Sequence, residues 1–567
     1  MLAELLTWLD ATPLRFAAAA WAVFAAAVAA AAAPGLSRGP RRWWRHPALF
    51  AALALLSIAA FRWPELCDNR ELQDPDESQM MSGALTLNQD PLYWKSVDGQ
   101  TRGPLDDWPL LAALRLAGRL DYTEARLVGV VLAWVCVMCA WAALRHCFTD
   151  AWARLLVLPL LAVHAFADSW SFVQYGSEHV ADALVALASA LLLAAWRGQE
   201  PGPRPLRLLL AGLALGAIGF AKLQCVPIAA WIAAFGACRI AGAAGARRAL
   251  HLAGFLGGAL IVPSAMLLWV AGGGIWRDFY AGYIVDNIRY AGARWFPWSL
   301  APAKFRELCA MAPGIEPYLL GALLAAVLAL LALRRSDRPG RSAAVYALGL
   351  TAVSAYAAMA PGRMFPHYLQ LILFPVGLLF GIAVGAAAES VQRLTARGPA
   401  FQAFAQAGIL GASLALGLGP QVLWRARETQ PSLGRFAATG GRLERTAVAR
   451  EILRHAHAGE RLGIWGWGPK FWVETGLVQA TRDGNTSRQI EEFPRGDHYY
   501  RDRYMSDLVR SRPPVVIDVV GEGNFSYHDR SDAGHETFGD LSRYLRANYR
   551  QIADTEGTRI YVRDDRD

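Results

Sequence analysis

Long apolar runs are the feature that most constrains this chain. A helix that crosses a bilayer needs about 20 mostly apolar residues. Hydrophobic residues make up 54% of the chain and its mean hydropathy is +0.24, which is unusual for a soluble protein. The sequence therefore predicts an α-helical polytopic membrane protein with about twelve transmembrane helices, at about 14–33, 47–62, 126–145, 152–166, 179–196, 207–221, 224–241, 250–270, 316–333, 342–360, 366–385 and 402–421.

Arginine clusters separate these runs and predict their orientation. If the basic segment 38–45 is cytoplasmic, alternation makes the other basic loops cytoplasmic as well, as the positive-inside rule requires. The net charge of +9 is explained by these loops. We therefore predict that membrane lipids, and not nucleic acid, surround this chain.

The same alternation predicts three long segments on the opposite side of the membrane. These are an acidic outer loop at 64–125, a second outer loop at 272–315, and the region that follows the last span. That region alternates helical and strand patterns, with strands expected at 462–465, 515–519 and near 558–562. Residues 1–421 are thus predicted to form a transmembrane domain, and residues 422–567 a soluble extracytoplasmic α/β domain.

Candidate catalytic residues stand in the first outer loop, where Asp74, Asp76 and Glu77 closely follow the second predicted span. Group transfer to a hydroxyl needs a base for the acceptor proton. If a helix begins here, Asp74 and Glu77 share one face and Asp76 points elsewhere. The alternative is structural: Asp74 caps the helix, and Asp76 and Glu77 favour its first turn.

Several segments, in this order, resemble one bacterial family. The acidic pair opens the run Asp76-Glu77-Ser78-Gln79-Met80-Met81-Ser82-Gly83-Ala84, which resembles the first-loop motif of GT-C glycosyltransferases, in particular protein O-mannosyltransferases and lipid A aminoarabinose transferases. Further similar stretches cover most of the chain: Gln73 to Glu77, Ser96 to Leu105, Tyr175 to His179, Arg363 to Tyr368 and Trp465 to Pro469.

The resemblance implies a GT-C fold and an inverting hexosyl- or pentosyltransferase. Such enzymes take a sugar from a polyprenyl phosphate and pass it to a cell-envelope lipid, glycan or protein. It implies a bacterial inner-membrane location with a periplasmic C-terminal domain. By resemblance Asp76 is the base and Glu77 lies beside it, while the additional acid Asp74 leaves all three carboxylates as candidates.

Charged residues near predicted outer helix ends complete the expected site. Charge at membrane depth is costly and indicates function by default. We assign the donor phosphate to Lys222 and Arg363, with His367 and Tyr368 as further donor contacts. A second acidic or acceptor site is predicted from Glu178, His179 and Arg102; alternatively, Glu178 only pairs with Arg102 or Lys222.

The sequence predicts no required cofactor. It contains no phosphate-binding P-loop or dinucleotide fingerprint, and although the three first-loop acids offer oxygen ligands, we predict no metal. Cys67 and Cys309 are both expected outside the cytoplasm, where a disulfide would persist. Two other functions stay open: a lipid or glycan transporter, and a glycan ligase or polymerase that uses a lipid-pyrophosphate donor.

Overall fold

The computed structural model describes residues 13–36, 45–195, 204–243, 247–292, 299, 301–332, 338–363, 365–394, 398–428, 432–433, 440–491 and 498–566. The chain divides into two compact units, and neither is one continuous stretch. The first unit comprises Met1–Cys67, Gly129–Leu268 and Ile288–Gly440. The second comprises Asp68–Val128, Trp269–Asn287 and Gly441–Asp567. It therefore groups most of the first predicted outer loop, but only residues 272–287 of the second, with the C-terminal region.

The first unit is helical. Apolar side chains dominate its helices, as the hydropathy of the sequence predicts. Its helices, including three that run across a unit boundary, are Pro13–Leu36, Pro47–Leu66, Tyr122–Cys147, Asp150–Leu156, Leu158–Phe166, Trp170–Val173, Glu178–Ala194, Pro205–Ala221, Leu223–Cys225, Val226–Ala241, Arg248–Gly272, Asp286–Gly292, Ala301–Met311, Ile315–Ala332, Arg338–Met359, Pro366–Leu369, Gln370–Leu394, Pro399–Gly417 and Gly419–Arg427.

Within the described ranges, eight helices are long and apolar enough to cross a membrane, and two shorter apolar helices accompany them. The predicted span at 152–166 is instead two short helices, Asp150–Leu156 and Leu158–Phe166. Pro159 stands at the start of the second helix, where a missing backbone N–H costs least. The total of about twelve spans stays a prediction.

Glycines allow two helices of this unit to approach closely. On the helix Pro205–Ala221, a Cβ on Gly212 would lie 2.1 Å from the backbone oxygen of Phe255. A Cβ on Gly216 would lie 2.2 Å from the backbone oxygen of Ala259. On the facing helix Arg248–Gly272, a Cβ on Gly258 would lie 2.3 Å from the backbone oxygen of Leu209. Small residues at helix contacts are the usual means of tight packing in membranes.

The second unit contains a sheet with helices around it. Its helices are Asp76–Gln89, Pro104–Ala117, Trp276–Phe279, the π-helix Tyr280–Val285, Ala447–His455, Lys470–Thr475, Ser487–Glu491, Tyr499–Ser511, Arg530–Ala533, His535–Thr537 and Gly539–Asn548. Its strands are β1 (Arg461–Trp465), β2 (Val478–Gln479), β3 (Val515–Asp518), β4 (Tyr549–Thr555) and β5 (Thr558–Arg563). The strand patterns predicted near 462, 515 and 558 coincide with β1, β3 and β5.

The described strands form one five-stranded sheet in the order β2-β1-β3-β5-β4. β1 pairs in parallel with both β2 and β3, whereas β5 is antiparallel to β3 and β4. Apolar residues on the two sides of the sheet form two buried clusters, one around Trp472 and one around Trp465. Helices cover both clusters, as expected of an α/β layer.

The first-loop helix Asp76–Gln89 packs on this sheet through polar contacts. Gln479, in β2, donates its side-chain amide to Ser82 Oγ at 2.9 Å and its backbone N–H to Thr86 Oγ1 at 3.1 Å. Asn485 donates to Gln79 Oε1 at 2.9 Å. These bonds fix the rotation of the helix that begins at Asp76.

The proposed disulfide between Cys67 and Cys309 is wrong. Both thiols are buried and free. Cys67 ends the helix Pro47–Leu66, and Cys309 lies inside the helix Ala301–Met311, so each cysteine is a small buried side chain of its own helix.

Adjacent glycines on the helix Arg248–Gly272 test the close helix contact. We expect Gly258→Ala to destabilise the protein by about 1–3 kcal/mol, because the new methyl group meets the Leu209 backbone. Gly257→Ala is the matched control, since no atom lies within 4 Å of its Cβ position. Thermal unfolding in one detergent measures both variants. An equal midpoint for the two variants contradicts the packing described here.

Candidate active site

Asp74 lies just before the first-loop helix. Its Oδ1 accepts a hydrogen bond from the backbone N–H of Asp76 at 3.0 Å. The helix begins at Asp76, directly after Pro75. Asp74 thus stabilises the turn that precedes the helix, whereas the N-cap position that the structural alternative gave to Asp74 is occupied by Pro75.

Glu77 is held by a buried arginine. The Arg126 Nη2 and Nε groups donate to Glu77 Oε2 at 2.8 and 3.1 Å, and the two side chains are 0% and 1% exposed. Arg126 also donates to the backbone oxygens of Asp68 and Arg70, at 2.6 and 2.8 Å. Glu77 therefore anchors the loop that precedes its own helix. A charge neutralised this way is a structural group.

Asp76 is in a different environment from both neighbours. It is half-buried, and within the described ranges its carboxylate makes no hydrogen bond or ion pair. One helical residue separates it from Glu77 by about 100°, which turns it away from Arg126. Its charge interacts with that of Arg102. Of the first-loop acids 74, 76 and 77, Asp76 is the one whose carboxylate stays available.

Arg102 lies beside the first-loop helix in the second unit, whereas Glu178, with which the second-site prediction grouped it, belongs to the first unit. Its Nη2 donates to the backbone oxygen of Gln79 at 3.1 Å, and its Nε lies 3.5 Å from Asp107 Oδ1. Burial raises the pKa of Asp107 to about 6, and the nearby guanidinium of Arg102 opposes that rise. Arg102 thus belongs to a buried group of the second unit.

A hydrogen-bonded chain lies beneath the start of the same helix. Ser78 Oγ donates to Glu71 Oε2 at 2.5 Å and lies 2.9 Å from the Tyr122 hydroxyl. Burial raises the pKa of Glu71 from 4.5 to about 7, although the bond from Ser78 opposes the rise. This carboxyl group therefore titrates near neutral pH.

In the first unit, Lys222 ends the helix Pro205–Ala221 and forms a buried ion pair with Glu178. Lys222 Nζ also donates to Ser177 Oγ at 2.7 Å, and His367 Nε2 lies 3.8 Å from Glu178 Oε1. Of the alternatives for Glu178, the pairing with Lys222 is the one found. Lys222 is therefore not an uncompensated charge, because Glu178 neutralises it.

Aromatic side chains connect this ion pair to Arg363. Lys222 Nζ lies 5.0 Å from the Tyr368 ring centroid, and the Tyr368 hydroxyl lies 2.8 Å from that of Tyr290. The Arg363 guanidinium lies 5.0 Å from the Tyr290 ring centroid and is exposed. No carboxylate pairs with Arg363 in the part of the chain that the structure describes. Lys222, Arg363, His367 and Tyr368 thus lie in one group, which we refer to, with Glu178 and Tyr290, as the cationic cluster; their role in binding a donor phosphate stays a prediction.

His179 lies close to Glu178, because both side chains approach the backbone of Gly176. A Cβ on Gly176 would lie 3.2 Å from Glu178 Oε2 and 3.5 Å from His179 Nδ1. The His179 Nδ1 also lies 3.1 Å from the backbone nitrogen of Gly176, and its ring stacks on Tyr175. The ring lines a small cavity together with Arg62, His164 and Asp182. The structure thus places Glu178 and His179 together, and their role as an acceptor site stays a prediction.

Two residues of these clusters were missed in the sequence. Arg126 stands at the start of an apolar run, and a charge there signals a buried acidic partner. Tyr290 lies in the predicted second outer loop with no local pattern to single it out. Met364, inside the predicted donor segment, lies outside the described residues.

A group of metal-ligand type lies at the end of β3, formed by Asp518, His535 and Glu536. Arg530 Nη2 lies 2.6 Å from Asp518 Oδ2 and 3.1 Å from Glu536 Oε2. His535 Nδ1 lies 2.6 Å from the same oxygen of Asp518. A guanidinium already neutralises these carboxylates, which explains the cluster without a metal ion.

Replacement of Glu77 or of Asp76 by the corresponding amide tests the different roles of these two residues. We expect Glu77→Gln to cost about 3–5 kcal/mol, because Arg126 loses its buried counter-charge. Asp76→Asn is the control. It breaks no ion pair among the described residues, so we expect its free energy of unfolding to stay within about 0.5 kcal/mol of the wild-type value. Unfolding midpoints in detergent measure both. Equal losses would mean that Asp76 is as structural as Glu77.

The buried Glu71 predicts a pH dependence of stability. Between pH 4.5 and about 7 the folded protein binds this proton more tightly than the unfolded chain does. Stability therefore falls as pH rises through that window, by up to about 3 kcal/mol. We expect Glu71→Gln to unfold at a higher temperature than the wild type at pH 8 and at a similar temperature at pH 4.5. The exposed Glu522→Gln is the control and keeps the wild-type profile; a Glu71→Gln profile parallel to the wild type would contradict this assignment.

The fold was compared with known proteins. No family model matches the chain, and no curated protein matches its sequence. Two crystal structures of ArnT from Cupriavidus metallidurans are similar to it. The structure bound to undecaprenyl phosphate has a TM-score of 0.52 and 16% identity over 92% of this chain and 98% of that one. The apo structure has a TM-score of 0.53 and 14% identity over 91% and 98%.

An oligosaccharyltransferase from Archaeoglobus fulgidus is a more distant neighbour, with a TM-score of 0.40 and 11% identity over 84% of this chain and 70% of that one. The similarity to ArnT extends over nearly the whole of both chains. The first-loop resemblance and the apolar helices agree with it. The chain is therefore a multi-pass membrane protein with the fold of ArnT.

Proposed function

We propose that this protein is a membrane glycosyltransferase that moves a hexosyl or pentosyl group from a polyprenyl-phosphate donor to a hydroxyl group of a cell-envelope lipid, glycan or protein. The available carboxylate of Asp76 carries the proposal, because Asp74 and Glu77 have structural partners. The fold adds support, since ArnT has been crystallised with undecaprenyl phosphate. We place the reaction at the periplasmic face of the bacterial inner membrane.

Asp76 acts as the general base in this proposal. It accepts the proton of the acceptor hydroxyl as the acceptor oxygen bonds to the anomeric carbon of the sugar. The bond from that carbon to the phosphate oxygen breaks, and its electron pair leaves with the polyprenyl phosphate. A single displacement of this kind inverts the anomeric configuration. The half-buried position of Asp76 suits the role, since both solvent and a substrate reach it.

The cationic cluster stabilises the charge that develops on the leaving phosphate. Arg363 is exposed and offers its planar guanidinium for two parallel hydrogen bonds. Lys222 adds a second cation, and Glu178 keeps it in position through their ion pair. The Tyr290 and Tyr368 hydroxyls, 2.8 Å apart, supply further donors beside it. Preorganised charge of this type lowers the barrier because it need not reorganise during the reaction.

A transfer assay on protein reconstituted in lipid tests the proposed base. Radiolabelled polyprenyl-monophosphate sugars and cell-envelope acceptors are supplied, and transferred label and released lipid are measured. We expect Asp76→Asn to lose activity by about 100-fold to 10,000-fold, the range of general base catalysis. Asp74→Asn is the matched control and keeps most of the activity, because the side-chain oxygen of Asn can still accept the hydrogen bond from the backbone N–H of Asp76.

Each outcome has a distinct meaning. Full activity in Asp76→Asn reassigns the base. Release of lipid pyrophosphate from a pyrophosphate donor favours the ligase or polymerase function. Flux of a lipid-linked sugar across the vesicle, with no covalent product, favours a transporter.

A further inference from the structure

Two aromatic rings meet at the surface of the second unit, outside the clusters described above. Trp467 follows β1 by two residues, and its ring centroid lies 5.3 Å from that of Phe525 at an angle of 72°. Phe525 is 44% exposed. Between residues 441 and 566, the described exposed large hydrophobic side chains are Phe525 and Val509. A single exposed apolar side chain is common at protein surfaces, but here the exposed Phe525 ring is paired with a second aromatic ring, that of Trp467.

The loop that carries Phe525 is firmly built. The Gly521 N–H donates to the Tyr527 oxygen at 3.1 Å, and Asn524 Nδ2 donates to the Gly557 oxygen at 3.2 Å. The Tyr527 hydroxyl donates to Glu491 at 2.7 Å. Ser526 adopts a φ of 72°, a left-handed conformation that is unfavourable for a residue with a side chain. The backbone therefore accepts strain to hold Phe525 at the surface, a pattern that concentrates at ligand sites.

The position in the sheet is one where ligands bind. β1 and β3 are adjacent and parallel, and Trp465 pairs with Asp518 at their carboxyl ends. The chain leaves β1 toward β2 on one side and leaves β3 toward β4, at the opposite edge of the sheet, on the other. Such a reversal opens a crevice at the carboxyl edge of an α/β sheet. Trp467 and Phe525 lie on the two loops that leave this edge.

We propose that Trp467 and Phe525 form a docking platform for the sugar part of the acceptor. A pyranose ring presents apolar C–H groups on one face, which stack on the electron-rich face of an aromatic ring. Asn524 and Tyr527 are the polar neighbours of Phe525 in the same loop, where they bond to Gly557 and Glu491. In one respect this inference depends on the proposed function, namely that the bound sugar belongs to the acceptor.

Charge selects the kind of sugar. In the described part of the chain near these two rings in sequence or contact, the exposed acidic side chains are Glu491, Glu522 and Asp529, and they outnumber the basic side chains there, the exposed His528 and the partly exposed Lys470. Arg530, in contrast, is paired with Asp518 and Glu536. An acidic surface repels uronates, phosphorylated sugars and anionic lipid headgroups. The platform therefore favours neutral sugars and amino sugars over anionic glycans and over a membrane surface.

The test measures saccharide binding directly, by calorimetry on the full-length protein in nanodiscs. The probes are a neutral glucose hexamer, a glucosamine hexamer and a galacturonate hexamer. We expect the first two to bind and the third to bind much more weakly. Phe525→Ala weakens binding by roughly fivefold to tenfold, the size of one aromatic contact. Val509→Ala, which removes the other exposed apolar side chain, leaves binding unchanged.

The transfer assay supplies a second readout. Phe525→Ala raises the acceptor KM and leaves kcat and donor use unchanged, because the platform contacts no reacting atom. Equal saccharide affinity for wild type and Phe525→Ala overturns the platform, and so does preferential binding of the galacturonate hexamer. Saccharide binding without any sugar transfer leaves the platform intact and refutes the proposed function. Sugar transfer that depends on Asp76, without any saccharide binding, supports the proposed function and refutes the platform.

Discussion

The buried ion pair between Glu77 and Arg126 is the interaction on which the first-loop cluster depends. Arg126 joins three parts of the chain, because it binds Glu77 and the backbone oxygens of Asp68 and Arg70. A guanidinium at 0% exposure is tolerated only with all of these acceptors in place. The pair fixes the rotation of the helix Asp76–Gln89, and that rotation in turn directs Asp76 away from Arg126. The availability of one carboxylate is thus a consequence of the neutralisation of its neighbour.

A second charged network explains why the first outer loop and residues 272–287 of the second fold with the C-terminal region. Arg488 contacts Asp98 at 3.0 Å and Asp286 at 2.7 Å, and Arg503 contacts Asp98 at 2.8 Å. Burial alone would raise the pKa of Asp98, but the two guanidinium groups hold it well below its usual range. Arg482 similarly joins Asp278 to Asp507. Because each arginine is shared, the loss of any one group leaves buried charge without compensation.

The sequence predicted best what depends on local patterns. Hydropathy located the long helices, and alternation located β1, β3 and β5, because both patterns record which face of an element is buried. The first-loop acids and the group of Lys222, Arg363, His367 and Tyr368 were also found from sequence. Partners were not. Arg126 and Glu77 are 49 residues apart, and Tyr290 and Tyr368 are 78 apart, so no local pattern connects them. The disulfide prediction failed for the same reason, since compartment alone does not bring two cysteines together.

Charge balance within the cationic cluster divides the proposed work between its two cations. The Lys222 charge is cancelled by Glu178, so a donor phosphate gains little long-range attraction from it. Arg363 is exposed and lies on an aromatic ring, so its charge is available for the first encounter. In the proposed reaction, Lys222 becomes important as the sugar departs, because the phosphate, already a monoanion in the donor, gains further negative charge that strengthens its hydrogen bonds with Lys222. In the proposed reaction, Arg363 therefore contributes chiefly to donor binding and Lys222 chiefly to the transition state, the stage at which added stabilisation accelerates transfer.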